Sequence, residues 1–174
     1  MISAGANKDW PHGFRPVEGK MRIREYTLAA ANSIIGFGDL IVRTNAGLVD
    51  RGAADAVQIV GVAMQARAAN AGAVATTASI LISDHPDTIY EAQVDDDTVD
   101  AQTDLFLNYN ITVADASGGI SQMEIDGNTQ NTTATLPIRT IGLFRDPKNA
   151  LGAQVRLLCQ INNHVYGSLG TTGI

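Results

Sequence analysis

Val57-Gln58-Ile59-Val60-Gly61-Val62-Ala63-Met64 decides the fold class. The stretch is rich in β-branched residues and lacks the Leu, Glu and Lys that favour a helix, so it reads as a strand. A glycine inside a strand marks a bulge or a close approach of another backbone, and Gly61 carries that expectation. Upstream, Leu40-Ile41-Val42, the turn Thr44-Asn45-Ala46-Gly47 and the returning Leu48-Val49 form a hairpin signal. Further upstream, Met21 and Ile23 alternate with Arg22 and Arg24. Downstream, Ala66 to Ala78 is Ala-rich without helical periodicity and reads as a connector with some extended structure. Ile80-Leu81-Ile82 is a short buried strand, and Asp84-His85-Pro86-Asp87 is a turn. Tyr90, Ala92 and Val94 then share one strand face, with Glu91 and Gln93 on the other.

The second half repeats this style. Asn110-Ile111-Thr112-Val113 precedes the hairpin signal Ser117-Gly118-Gly119, and Met123 and Ile125 alternate with polar residues up to Gly127-Asn128. Ile138-Arg139-Thr140-Ile141-Gly142-Leu143 looks like a counterpart of Val57 to Val62. Val155, Leu157, Cys159 and Ile161 alternate again, and Ala92-Gln93-Val94-Asp95-Asp96 is echoed by Cys159-Gln160-Ile161-Asn162-Asn163. The expectation is an all-β chain, an antiparallel barrel or sandwich, offering two similar β-units over 20–97 and 98–166. One short helix is expected, capped by Thr98 and ending near Leu107, with early carboxylates at its N-terminus. Residues 167–174 read as a flexible tail.

Composition agrees. The chain has 174 residues, 45% of them apolar and 17% charged, which suits one domain able to bury about 70% of its unfolded surface. A formal charge of −6 argues against a duplex-DNA partner, since the net field repels a polyanion. No apolar run is long enough to span a membrane as a helix. The first residues lack the apolar core of a signal peptide. The single cysteine, Cys159, permits no intrachain disulfide and fits folding in a reducing cytoplasm.

Residues 1–19 differ from the rest. Trp10-Pro11-His12-Gly13-Phe14-Arg15-Pro16 has no strand or helix period, and its two prolines favour extended backbone. The aromatic pair allows two readings. The rings tuck back on the domain's own surface, or the segment is an extended arm that places Trp10, Pro11, Phe14, Arg15 and Pro16 on a partner.

No catalytic arrangement is recognisable, and the reading is non-enzymatic with no cofactor. There is no nucleophile elbow, dinucleotide loop or Walker motif. Cys159 lies among apolar neighbours and reads as an inert small hydrophobe. His12, His85 and His164 share no metal-ligand spacing, and His85 with Asp84 and Asp87 reads as a polar turn rather than a metal site. The run Asp95-Asp96-Asp97-Thr98-Val99-Asp100 lacks the glycine of a calcium loop and reads as a solvated acidic turn.

The order Gly38-Asp39-Leu40-Ile41-Val42 … Ile59-Val60-Gly61-Val62-Ala63 resembles the capsid decoration, or cement, proteins of tailed bacteriophages. Thr132-Thr133-Ala134-Thr135-Leu136-Pro137-Ile138, Asp146-Pro147-Lys148-Asn149 and Gln160-Ile161-Asn162-Asn163-His164 are similar to phage structural proteins, and the resemblance spans roughly 20–174. It implies a β-rich protein made in the bacterial host cytoplasm. It further implies binding to the capsid exterior, where adjacent major capsid protein subunits are clamped. Self-association is expected as a trimer or a dimer, with no nucleic acid and no membrane. A head fibre base or a tail component is the alternative, and a small β-scaffold hydrolase a further one. A carbohydrate-binding module is disfavoured, because the only tryptophan sits on the arm.

Overall fold

The structure, a computed structural model, describes residues 7–29, 34–68 and 78–167. The strands are β1 (Arg15–Glu18), β2 (Ile23–Thr27), β3 (Leu40–Arg43), β4 (Val49–Arg51), β5 (Ile59–Ala63), β6 (Ser79–Ser83) and β7 (Ile89–Gln93). They continue with β8 (Thr98–Val99), β9 (Asn108–Thr112), β10 (Glu124–Asn131), β11 (Ile138–Leu143), β12 (Gly152–Ala153) and β13 (Arg156–Ile161). The protein is all-β, with two large antiparallel sheets, in the orders β2-β6-β5-β3-β4 and β1-β7-β13-β11-β9-β10, and a separate two-stranded pair, β12-β8. Each large sheet curls until one parallel bridge closes it, Leu28 beyond β2 to Val49 of β4 in the first and Val94 beyond β7 to Ile125 of β10 in the second, with β1 outside the closed part.

The two sheets have one topology. In each, taking β1 apart, the first strand pairs with the fifth, the fifth with the fourth, the fourth with the second and the second with the third. In each, the residue just past the first strand bridges the third. The next residue's N–H then donates to the same carbonyl: Ala29 to Val49 at 2.8 Å and Asp95 to Ile125 at 3.0 Å. The expected duplication is therefore present in the strand order, but its boundary is earlier. β7, placed in the first unit by the reading of 20–97, is the first strand of the second unit, and the turn at 84–88 separates the two. The echo between 92–96 and 159–163 relates β7 to its neighbour β13 in one sheet, not to an equivalent strand.

β5 shows how sequence sets packing. All five of its residues are buried. Val60 and Ala63 face the interior of the first unit, while Ile59 and Val62 join the core shared with the second. Strict alternation cannot do this, because 59 and 62 differ by an odd number. The register slips between Ile41 and Val42, opposite Gly61 and Ile59, so one residue bulges and the phase shifts. Gly61 is required there: a Cβ would lie against the carbonyl oxygen of Ser83. The same device recurs in β11, where pairing with β13 skips Ile141, the residue before Gly142.

Two expectations are corrected. The helix from Thr98 to Leu107 does not form. Thr98 and Val99, a β-branched pair, instead join β12, and only a 3-10 turn at Gln102–Asp104 remains. The segment 1–19 is not a detached arm over its described part. β1 pairs antiparallel with β7, and Phe14 is fully buried in the core between the units. Residues 69–77 of the connector and the tail from 168 lie outside the described residues.

Candidate functional site

The N-terminal segment is fixed to the second unit by a ladder of side-chain bonds. The Trp10 N–H donates to Gln93 Oε1 at 2.9 Å, and Gln93 Nε2 donates to the Lys8 carbonyl at 3.0 Å. Asn7 donates to the carbonyls of Ala150 and Ala153. The Phe14 N–H donates to the Gly38 carbonyl at 2.9 Å. This turn needs Gly13 at φ +67, where any Cβ would strike Ser121 and Gly38. Glu91 and Gln93, on the face opposite Tyr90 and Ala92 as their alternation implies, are nonetheless buried, because this segment lies over them.

Between the segment, β7 and β13 lies a cavity of about 250 Å³. Trp10, at 65% exposure, forms its rim, with the Lys8 ammonium 5.0 Å from the ring centroid. Its floor is an ion-pair chain. His12 Nε2 lies 3.6 Å from Glu91 Oε1, Arg156 Nη1 donates to the same oxygen at 3.1 Å, and Arg156 Nη2 donates to Asp146 at 2.5 Å. Burial alone would raise the Glu91 carboxyl, but His12 and Arg156 together outweigh it and hold the group below its ordinary value. Asp146 is held low first by the Lys148 N–H and then by Arg156.

The sequence-derived partner residues therefore separate. Trp10 and Arg15 line this cavity. Pro11 and Pro16 are half-buried, and Pro16 opens onto a smaller hollow with Val17 and Met21. Phe14 is a core residue and offers nothing to a partner; this corrects its reading as an anchor. No motif or spacing in the sequence brings His12, Glu91, Asp146 and Arg156 together as one site.

A second polar cluster surrounds Asp84, which is fully buried. Arg22 Nε donates to Oδ1 at 2.6 Å and the Tyr26 hydroxyl to Oδ2 at 2.5 Å. With both oxygens engaged, Asp84 closes the unit junction. His85 accepts the Asp87 N–H, as a polar turn requires. His164 nearby is 1% exposed, and burial lowers its pKa to about 4. Asp39, from the Gly-Asp pair of the resemblance, is also fully buried. It accepts the Gly36 N–H at 2.8 Å and lies 3.0 Å from Arg51 Nε.

Among the described residues, Asp95, Asp97 and Asp126 could hold a metal ion, with ligand oxygens within 4.8 Å of one another. Asp95 already accepts the Thr112 hydroxyl and the N–H groups of Asp97 and Gly127, so it ties the end of β7 to β9 and β10. Glu124 faces this acidic region. Burial, then Asp9, Asp95 and Asp96, raise its carboxyl to about 7. Cys159 is buried, and burial pushes its thiol far above the ordinary range, where a thiolate nucleophile is disfavoured.

The exposed apolar residues include a run along one side: Val17, Met21 and Ile23, with Leu81 on the strand beside Ile23. No helix among the described residues is long and apolar enough to cross a membrane. No protein-family model matches the chain, and no curated protein matches it in sequence.

Proposed function

We propose that this protein is a structural decoration, or cement, protein of a tailed-phage head, binding the outer shell and bridging neighbouring major capsid subunits. The observation that carries the reading, beside the sequence resemblance, is the set of exposed apolar side chains Trp10, Val17, Met21 and Ile23, the last three on or beside strands β1 and β2, which pair into the two sheets. Aromatic and aliphatic anchors on pre-ordered backbone lose little conformational freedom on docking. A protein that binds only the assembled lattice stabilises it by linkage, and many copies multiply the effect. The reading asks for contact area alone, with no bond made or broken.

Mass spectrometry of purified heads tests it. The expected result is this chain at a copy number comparable to that of the major capsid protein. Its absence from heads, or a few copies confined to tails, contradicts the proposal.

A further inference from the structure

The internal duplication gives every edge of one unit a counterpart in the other. Leu28 and Val94 make the same closing bridge, so counting back pairs Ile23 with Ile89, Glu25 with Glu91 and Thr27 with Gln93. The neighbouring strands agree: Leu81 stands opposite Glu25, and Leu158 opposite Glu91.

The outer edge of β7 is covered by β1, with Arg15 opposite Glu91 and Glu18 opposite Ile89. The equivalent edge of β2 carries no strand among the described residues, and β2 pairs only with β6. The directions of its backbone groups follow from two bonds. The Arg22 carbonyl accepts the Asp84 N–H, and the Leu28 N–H donates to Ala78, so even-numbered residues face β6. Ile23 and Glu25 therefore turn their N–H and C=O groups toward the open side, while further along that side the edge closes on β4, where Ala29 donates to Val49 and the Leu28–Val49 bridge takes up the Thr27 carbonyl.

Two features say what fits there. Met21 is 58% exposed, Ile23 47% and Leu81 40%, an apolar surface on an unpaired edge of the kind that folded proteins otherwise blunt. Glu91 is ion-paired with Arg156 and has His12 of the covering segment 3.6 Å away. Glu25, its counterpart, is exposed and accepts the Ser79 hydroxyl, with no ion pair among the described residues.

We infer that the open edge of β2 is a docking site for an extended segment of a neighbouring shell subunit, running antiparallel to β2 as β1 runs to β7. That segment carries a basic residue opposite Glu25 and apolar residues against Ile23 and Leu81. Backbone pairing supplies affinity and the side chains supply specificity. The inference rests on the head-decoration reading and names how the contact is made.

The test is hydrogen exchange of the full chain, free and bound to phage heads, with head pelleting of two variants, Ile23→Lys and Glu25→Lys. Both positions are exposed, so thermal midpoints stay within about 2 °C of the parent protein. Binding to heads should slow exchange across 21–28 at least tenfold, and each variant should bind at least tenfold more weakly. Free-protein exchange rates across 21–28 on bound heads, or variants that pellet like the parent, overturn the inference and leave the decoration reading standing. A parent protein that does not bind heads removes that reading, and the inference with it.

Discussion

Phe14→Ala and Trp10→Ala, four residues apart in a segment with no strand period, should differ sharply in cost. Phe14 is 0% exposed in the core between the units, and Trp10 is 65% exposed. A buried ring of this size removes roughly 150–250 Å² from water. At about 25 cal/mol/Å² that is about 4–6 kcal/mol, an upper bound from which the alanine methyl recovers part. Phe14→Ala should therefore cost about 3–5 kcal/mol, the usual range for deleting a core ring. Trp10→Ala should stay within about 0.5 kcal/mol, as for an exposed site. Urea denaturation followed by far-ultraviolet circular dichroism measures both. A chain of 20–174 should lose the cooperative transition, because it lacks β1, Phe14 and His12. A Phe14→Ala cost below about 1 kcal/mol, or a truncated chain with the parent midpoint, would refute the packing of this segment into the core.

Other consequences concern charge and backbone. Glu124 is raised from the ordinary 4.5 to about 7, so the folded state keeps a proton that the unfolded state releases, and stability falls as pH rises from about 4.5 through 7. Glu124→Gln should be near neutral at pH 4.5 and stabilise by about 1–2 kcal/mol at pH 8, a range reduced because the side chain is partly solvated; an equal effect at both values would contradict the cause. His164 runs the other way. With its pKa lowered by burial to about 4, its contribution is complete above 6.5 and is lost as pH falls through 6.5 toward 4. A proton NMR titration should show no His164 midpoint above pH 5, and a midpoint near 6.5 would refute its burial. Gly61→Ala should destabilise by several kcal/mol by driving β5 away from Ser83, whereas Gly47→Ala, with open space around it, should cost about 1 kcal/mol from its positive φ alone. Thermal melts of the pair separate close approach from backbone strain.

Local strand signals carried far into the structure. The β3–β4 hairpin, β6, β7 and the close approach at Gly61 follow from β-branched runs broken by turn residues, which act over a few positions. The apolar surroundings of Cys159 were legible for the same reason. The unit boundary was not. β7 and β13 look alike because adjacent strands of one sheet meet the same inside and outside. The equivalent strands β2 and β7 share little beyond Ile and Glu, as in Ile23-Arg24-Glu25 and Ile89-Tyr90-Glu91. Neighbour likeness therefore outweighed true correspondence. The choice between the two readings of Phe14 is not legible in the sequence, because its burial depends on Gly13 and Gly38 closing a loop across 24 positions, which no local pattern announces. Glu91 and Gln93 lie on the side of β7 that alternation assigns, but a segment more than seventy residues away covers that side. The cavity at Trp10 exists only once the segment has docked, so its ion-pair floor has no signature in the chain.

Cryo-electron microscopy of the intact head tests the central claim most directly. The account predicts density for this double β-unit on the outer shell, repeated across the lattice, with Trp10, Val17, Met21 and Ile23 against two or more capsid subunits. A lattice whose outer surface is bare of this chain, or one that turns these four residues toward solvent, would contradict it.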